Sequence, residues 1–155
     1  MIVKKEISEI ESFFSDESGY KGSCDAVYFP ENEEDILEIL KYCNQEKIKI
    51  TIAGAGTGLT SGRVPEGGIV ISLEKLNKII ELNTTEKYVI TQPAVFLGEL
   101  QKIVEAEKLF YPPDPTERNC FIGATVAANS SGARTFKYGS TRKYVEALKI
   151  ILPDG

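Results

Sequence analysis

Ile52-Ala53-Gly54-Ala55-Gly56-Thr57-Gly58-Leu59-Thr60-Ser61-Gly62-Arg63-Val64-Pro65 is the stretch that decides how this chain is read. It lies between two apolar runs, Ile48–Ile52 and Ile69–Leu73, and contains Gly54, Gly56, Gly58 and Gly62. Glycine serves where the backbone takes positive φ or comes close to a ligand. A loop of this kind, hung from a strand end, can turn several N–H groups toward one anion. The first expectation is therefore a phosphate-binding loop. Neither common phosphate-loop pattern fits. The dinucleotide fingerprint requires a glycine where Leu59 stands. The P-loop requires Lys and then Ser or Thr after its last glycine, and Gly62 is followed by Arg63. Val64-Pro65-Glu66-Gly67-Gly68 reads as turn, so the loop joins strand to strand. On composition alone, a glycine-rich connection without a ligand is the alternative.

The chain has 155 residues, enough for one domain with a core or for two small lobes. Hydrophobic residues make up 42% and charged residues 26%, an ordinary balance for a globular protein. A net charge of −5 argues against nucleic acid as the main partner. No apolar run approaches the roughly 20 residues that span a bilayer, and Met1–Glu6 lacks a signal-peptide core. Cys24, Cys43 and Cys120 are far apart and form no Cys-x-x-Cys pair, which points to reduced thiols in the cytoplasm and to no metal site. Histidine is absent, which removes a Ser-His-Asp triad, a histidine base and a histidine ligand from this chain.

In chain order, Ile7, Ile10, Phe13 and Phe14 suit a short amphipathic helix. Ala26–Phe29 reads as a strand stopped by Pro30. Asn32 reads as the N-cap of a helix with Glu33, Glu34 and Asp35 in its first turn. Ile36, Ile39, Leu40 and Cys43 form its apolar face. Ile48–Ile52 follows as a strand, so strand, helix and strand make a βαβ unit with Val27 and Ile50 on parallel neighbours. The glycine loop then leaves the carboxyl end of a strand, where open α/β sheets bind ligands. Ile69–Leu73 and Ile79–Leu82 are further strands, and Asn83-Thr84-Thr85 reads as a lobe boundary. Tyr88–Gln92 is a strand, Phe96–Lys108 a helix, and Pro112-Pro113-Asp114-Pro115 irregular. Ile122 to Gly132 consists almost wholly of small residues. That suits either close approach by a flat partner or a tightly packed buried helix. Ala147–Leu152 reads as a last strand before the turn Pro153-Asp154-Gly155. Its edge would be open and expected to recruit a second chain.

A set of short motifs recurs in order. They are Gly54-Ala55-Gly56-Thr57-Gly58-Leu59, Leu73–Ile79, Pro112-Pro113-Asp114-Pro115-Thr116, and Ile122-Gly123 with Ala127, Asn129 and Gly132. Lys137-Tyr138-Gly139-Ser140-Thr141-Arg142 and Leu152-Pro153-Asp154-Gly155 complete it. Over about residues 25–155 this set resembles the FAD-binding PCMH-type domain of the vanillyl-alcohol oxidase / para-cresol methylhydroxylase superfamily. The branch is that of the FAD-linked oxidases, which include D-lactate dehydrogenases and the glycolate oxidase large subunit. Departures are Ala53 where that branch usually has arginine, and Ser61, Ala94, Ala124 and Ser131 where it usually has glycine.

The resemblance implies an α+β fold with two lobes clasping FAD. A helical lead-in would occupy 1–24, a first lobe with a small βαβ-type sheet 25–83, and a truncated second lobe 84–155. It implies non-covalent FAD, with the pyrophosphate on Gly54, Ala55, Gly56, Thr57, Gly58 and Leu59. Pro115, Thr116, Gly123, Ala124, Ala127, Asn129, Gly132 and Gly139 would lie near the rest of the cofactor. Arg134, Lys137 and Arg142 are expected to form a solvated face. In the family a continuation and a substrate domain follow and supply the catalytic histidine, so this chain is expected to hold no catalytic residue. It would be the N-terminal part of an oxidoreductase acting on a small 2-hydroxy acid such as D-lactate or glycolate. A non-catalytic nucleotide- or anion-binding module on the same fold is the other reading.

Overall fold

Ile69–Ser72 (β4) is buried at all four positions and forms the centre of the larger sheet in the computed structural model, which describes residues 1–155. Strands buried on both faces read as continuous apolar runs, as Ile69-Val70-Ile71 does. The sheet order is β1-β2-β4-β3, with β1 at Ile2–Lys4, β2 at Ala26–Phe29 and β3 at Ile50–Ala53. β2 and β3 both run parallel to β4, and β1 is antiparallel to β2. Val27 and Ile50 thus lie on parallel strands, as expected, but they are not neighbours. β4 separates them, because the uniformly apolar strand takes the doubly covered centre. β3, carrying Thr51 and the half-exposed Ile52, is left at the edge.

Two clusters cover this sheet. Val27, Phe29, Ala53 and Val70 pack with Ile10, Phe13 and Phe14. Ala26, Ile69 and Ile71 pack with Ile39 and Cys43 of α2, Glu33–Glu46. Each aliphatic side chain fully buried in this way contributes about 1.5–3 kcal/mol. α2 begins as its sequence indicates, with the Asn32 side chain accepting from the Asp35 N–H at 2.8 Å. It ends on Lys47, whose left-handed φ of 55° closes the last turn. Residues 1–24 do not form a separate lead-in. Met1–Leu76 is one compact unit, joined by Lys149–Gly155. The reason is pairing of Ile2–Lys4 with β2 and burial of Ile10 on the short helix α1, Ile7–Ile10.

The second unit is Asn77–Leu148. The expected boundary at Asn83 falls inside a hairpin of β5, Ile79–Asn83, and β6, Tyr88–Thr91. Asn83 Oδ1 accepts from the N–H groups of Thr85 and Glu86 at 3.1 and 2.8 Å, which builds the turn. Turn residues marked the place without saying which kind of turn it was. Val95 with Leu100 and Val104 of α3, Leu97–Ala106, forms this unit's core, with Leu82, Val89 and Ile122 against it. α4, Ile122–Ala127, and α5, Thr135–Tyr138, complete the unit.

Ala147–Leu152 is not a strand. No neighbour pairs with it, so it runs as irregular chain with Leu148, Ile150 and Leu152 exposed. Lys149 pairs with Glu33 at 2.6 Å, and Asn44 Nδ2 donates to the Pro153 carbonyl at 2.8 Å. No helix is long and apolar enough to cross a membrane.

Candidate functional site

The glycine loop leaves the carboxyl end of β3. Gly54, Ala55, Gly56 and Thr57 are partly covered, and Gly58, Leu59 and Thr60 are exposed. No backbone carbonyl accepts from the N–H groups of residues 55 to 62. A backbone donor without a protein partner must find water or a ligand. Here a consecutive run of them stands free. Gly56 has φ of +84°, a conformation that only glycine takes without strain. Ser61, where the family usually has glycine, takes φ of +60° as well, and its hydroxyl donates to Ser18 Oγ at 3.0 Å.

Beneath the loop sits Arg63, a residue to which the sequence alone assigns no role. Arg63 donates from Nη1 to the Gly54 carbonyl at 3.1 Å. From Nε and Nη2 it donates to the Ser15 carbonyl at 3.2 and 3.1 Å, and from Nη2 to the Ser12 carbonyl at 2.5 Å. Its guanidinium lies 5.3 Å from the Phe13 ring centroid. Burial works against its charge, and the Asp16 carboxylate works for it. Asp16 Oδ1 accepts from the Ser18 N–H at 3.0 Å, while Oδ2 is enclosed without a hydrogen-bond partner. A side chain on Gly56 would not face outward. Its Cβ would stand 2.6 Å from Arg63 Cζ. The available signal was a lone arginine inside a glycine loop, since a cation there needs carbonyl partners.

The remaining expected site residues all lie in the second unit. Pro115 and Gly132 are brought together, because a Cβ on Gly132 would lie 2.0 Å from the Asp114 carbonyl oxygen and 2.7 Å from Pro115 Cα. Thr116 is exposed at the end of the same segment. Gly123 packs on Pro93, donating its N–H to the Pro93 carbonyl at 2.8 Å. Ala124 and Ala127 are exposed and Thr125 is buried, so α4 is not the tightly packed buried helix that composition also allowed. Asn129 takes a left-handed φ of 46°, and its Oδ1 accepts from the Arg142 N–H at 3.0 Å. Gly139 has φ of +91°, and a Cβ there would meet the Lys143 side chain.

Of the solvated face expected of Arg134, Lys137 and Arg142, only Arg134 is drawn in, being half-covered and paired, while Lys137 and Arg142 are exposed. Arg134 pairs with Asp114 at 3.2 Å and stacks 5.2 Å from the Phe110 ring, while Lys137 lies 4.8 Å from the Tyr138 ring. Asp114 also meets Arg118 at 3.5 Å, and Gln101 Nε2 donates to the Pro113 carbonyl at 3.3 Å. These contacts fix Pro113–Pro115 against residues 132–134. The thiols of Cys24, Cys43 and Cys120 are pushed up by burial, and no group of metal-ligating side chains is present.

The chain is 39% identical to the D-lactate dehydrogenase of Anaerostipes hadrus, over all of this chain and 33% of that protein. It is 38% identical to glycolate oxidase subunit GlcD of Bacillus subtilis, over 88% of this chain and 29% of that subunit. The chain therefore spans about a third of the length of the curated relatives it matches. Its fold matches alkyldihydroxyacetonephosphate synthase with a TM-score of 0.87 at 18% identity, over 99% of this chain and 30% of the synthase. It matches 6-hydroxy-D-nicotine oxidase of Arthrobacter nicotinovorans with a TM-score of 0.76 at 19% identity, over 90% of this chain and 31% of the oxidase. The model of the FAD binding domain family matches residues 24–155, and the chain belongs to that family.

Proposed function

We propose that this chain holds FAD within an oxidoreductase that acts on a small 2-hydroxy acid such as D-lactate or glycolate. The observation that carries this reading is the run of N–H groups from 55 to 62 without backbone partners, in a member of the FAD binding domain family. Gly54, Ala55, Gly56, Thr57, Gly58 and Leu59 hold the pyrophosphate by backbone donors, and the left-handed Gly56 lets the loop turn over Arg63 without a side chain between them. Pro115, Thr116, Gly123, Ala124, Ala127, Asn129, Gly132 and Gly139 serve the rest of the cofactor. The exposed methyl groups of Ala124 and Ala127 present a low surface that a flat ring can approach.

FAD, when bound, accepts the hydride equivalent from the substrate carbon. This chain binds and orients the cofactor. It contains no histidine to form a histidyl link, which supports non-covalent binding. Its three free cysteines support a reducing compartment, the cytoplasm. The exposed Ile150 and Leu152 support self-association of the chain taken alone, which light scattering tests.

The test is anaerobic mixing of the purified full-length protein with D-lactate, glycolate and related 2-hydroxy acids. Bleaching of the flavin absorbance by at least one D-2-hydroxy acid is expected. Flavin that stays oxidised with every one of them would replace this reading with a non-catalytic nucleotide-binding module. A protein without flavin that takes up none when FAD is added would refute the cofactor.

A further inference from the structure

We propose that Arg63 is the positioning residue of the cofactor loop, holding the Gly54 carbonyl from behind so that the next N–H faces the ligand phosphate. The inference rests on the pyrophosphate reading of the loop and adds how its shape is set. Three observations carry it. First, Arg63 Nη1 donates to the Gly54 carbonyl at 3.1 Å, and no cis peptide is present. In a planar trans peptide the C=O and the following N–H point in opposite directions. The Ala55 N–H therefore points away from the guanidinium and out of the loop. Second, the same guanidinium stands where a Gly56 Cβ would be, 2.6 Å from Cζ. Arg63 thus backs the loop at two successive peptides, and the φ of +84° at Gly56 is the conformation that fits over it.

Third, the guanidinium is itself held. The Ser12 and Ser15 carbonyls take its Nε and Nη2 donors, and Phe13 stacks on it. Segment 12–16 is in turn anchored through Phe13 and Phe14 in the sheet core. A planar fork that meets three carbonyls fixes direction as well as distance. A lysine in this place would keep the charge and lose that geometry. The arrangement places a positive charge behind a loop whose N–H groups from 55 to 62 have no backbone partner. The loop carbonyl is tied beneath, where it cannot turn toward an anion.

The experiment uses the full-length protein stripped of flavin. FAD affinity is read from quenching of flavin fluorescence, and inorganic pyrophosphate is titrated as a competitor. Arg63→Ala is expected to weaken FAD and pyrophosphate together by about tenfold or more, a change of ~1.4 kcal/mol per decade. Guanidinium chloride at non-denaturing concentration restores most of the loss, and methylammonium chloride does not. Arg63→Lys stays weak for both ligands. FAD affinity within twofold of the unmodified protein in either variant overturns the proposal. So does weaker FAD with unchanged inhibition by pyrophosphate, which would place the effect away from the phosphates. Should Arg63→Ala fail to fold, Arg63→Lys decides by the same two readouts. Unmodified protein that binds FAD but is not inhibited by pyrophosphate refutes the loop reading itself, before Arg63 is tested.

Discussion

Replacing Gly132 by alanine isolates one steric requirement. Gly132 has no positive φ, so the substitution adds no backbone strain of that kind. The added Cβ would lie 2.0 Å from the Asp114 carbonyl oxygen, 2.6 Å from its carbon and 2.7 Å from Pro115 Cα. Cβ contacts below 3.0 Å essentially do not occur, so one segment must move by at least 3.0 − 2.0 = 1.0 Å. These are backbone atoms, and no rotamer change relieves the contact. Overpacking of this kind costs about 1–3 kcal/mol. The moving segment also carries the Asp114 carboxylate, which Arg134 holds at 3.2 Å. We expect Gly132→Ala to lower the unfolding free energy in urea by about 1–3 kcal/mol. FAD affinity should fall at least threefold, because Pro115 and Thr116 shift with the segment. Gly62→Ala is the control. A Cβ there meets nothing within 4 Å, and its effect on stability should stay within about 0.5 kcal/mol. Equal stability of Gly132→Ala and Gly62→Ala would refute the packing described between residues 114–115 and 132.

Gly56→Ala should cost about 1–2 kcal/mol from the left-handed backbone alone. It should cost more by displacing Arg63 and should remove FAD binding, as urea unfolding and flavin content would show. Asp114→Asn should lose about 1–2 kcal/mol with little salt dependence, because the carboxylate is only 15% exposed. Arg118→Gln, on a side chain 60% exposed, should change stability by less than about 0.5 kcal/mol. Tyr111 is pushed up to about 12 by burial. Its contribution is whole below the ordinary tyrosine pKa of roughly 10 and is lost as pH rises toward about 12. Tyr111→Phe should flatten the fall in stability across that window. An unchanged slope would assign alkaline unfolding to other groups.

How much was legible in the sequence depended on how local each signal was. Asn32, the acidic turn after it and the Ile39–Leu40–Cys43 face lie within one helix, and the helix is where they place it. The glycine loop was legible as a loop because a left-handed position such as Gly56 needs glycine whatever surrounds it. Strand order was not. The insertion of β4 between β2 and β3 depends on pairings between distant segments, and only the evenness of Ile69-Val70-Ile71 hinted at a central place. Ala147–Leu152 misled for the converse reason. It has a strand's composition, but a strand exists only with a partner. Arg134 read as solvated because its partner Asp114 is twenty residues earlier and meets it only in the folded unit. Arg63 was hidden in the same way, its carbonyl partners lying at Ser12, Ser15 and Gly54.

In the proposed function the backbone donors of residues 54–59 hold the FAD pyrophosphate. A crystal structure of the full-length protein with FAD tests it most directly. Pyrophosphate oxygens are expected within about 2.7–3.2 Å of at least two N–H groups from this loop. Arg63 is expected still to bond the Gly54 carbonyl. FAD bound with its pyrophosphate away from residues 54–59, or against side chains alone, would contradict it.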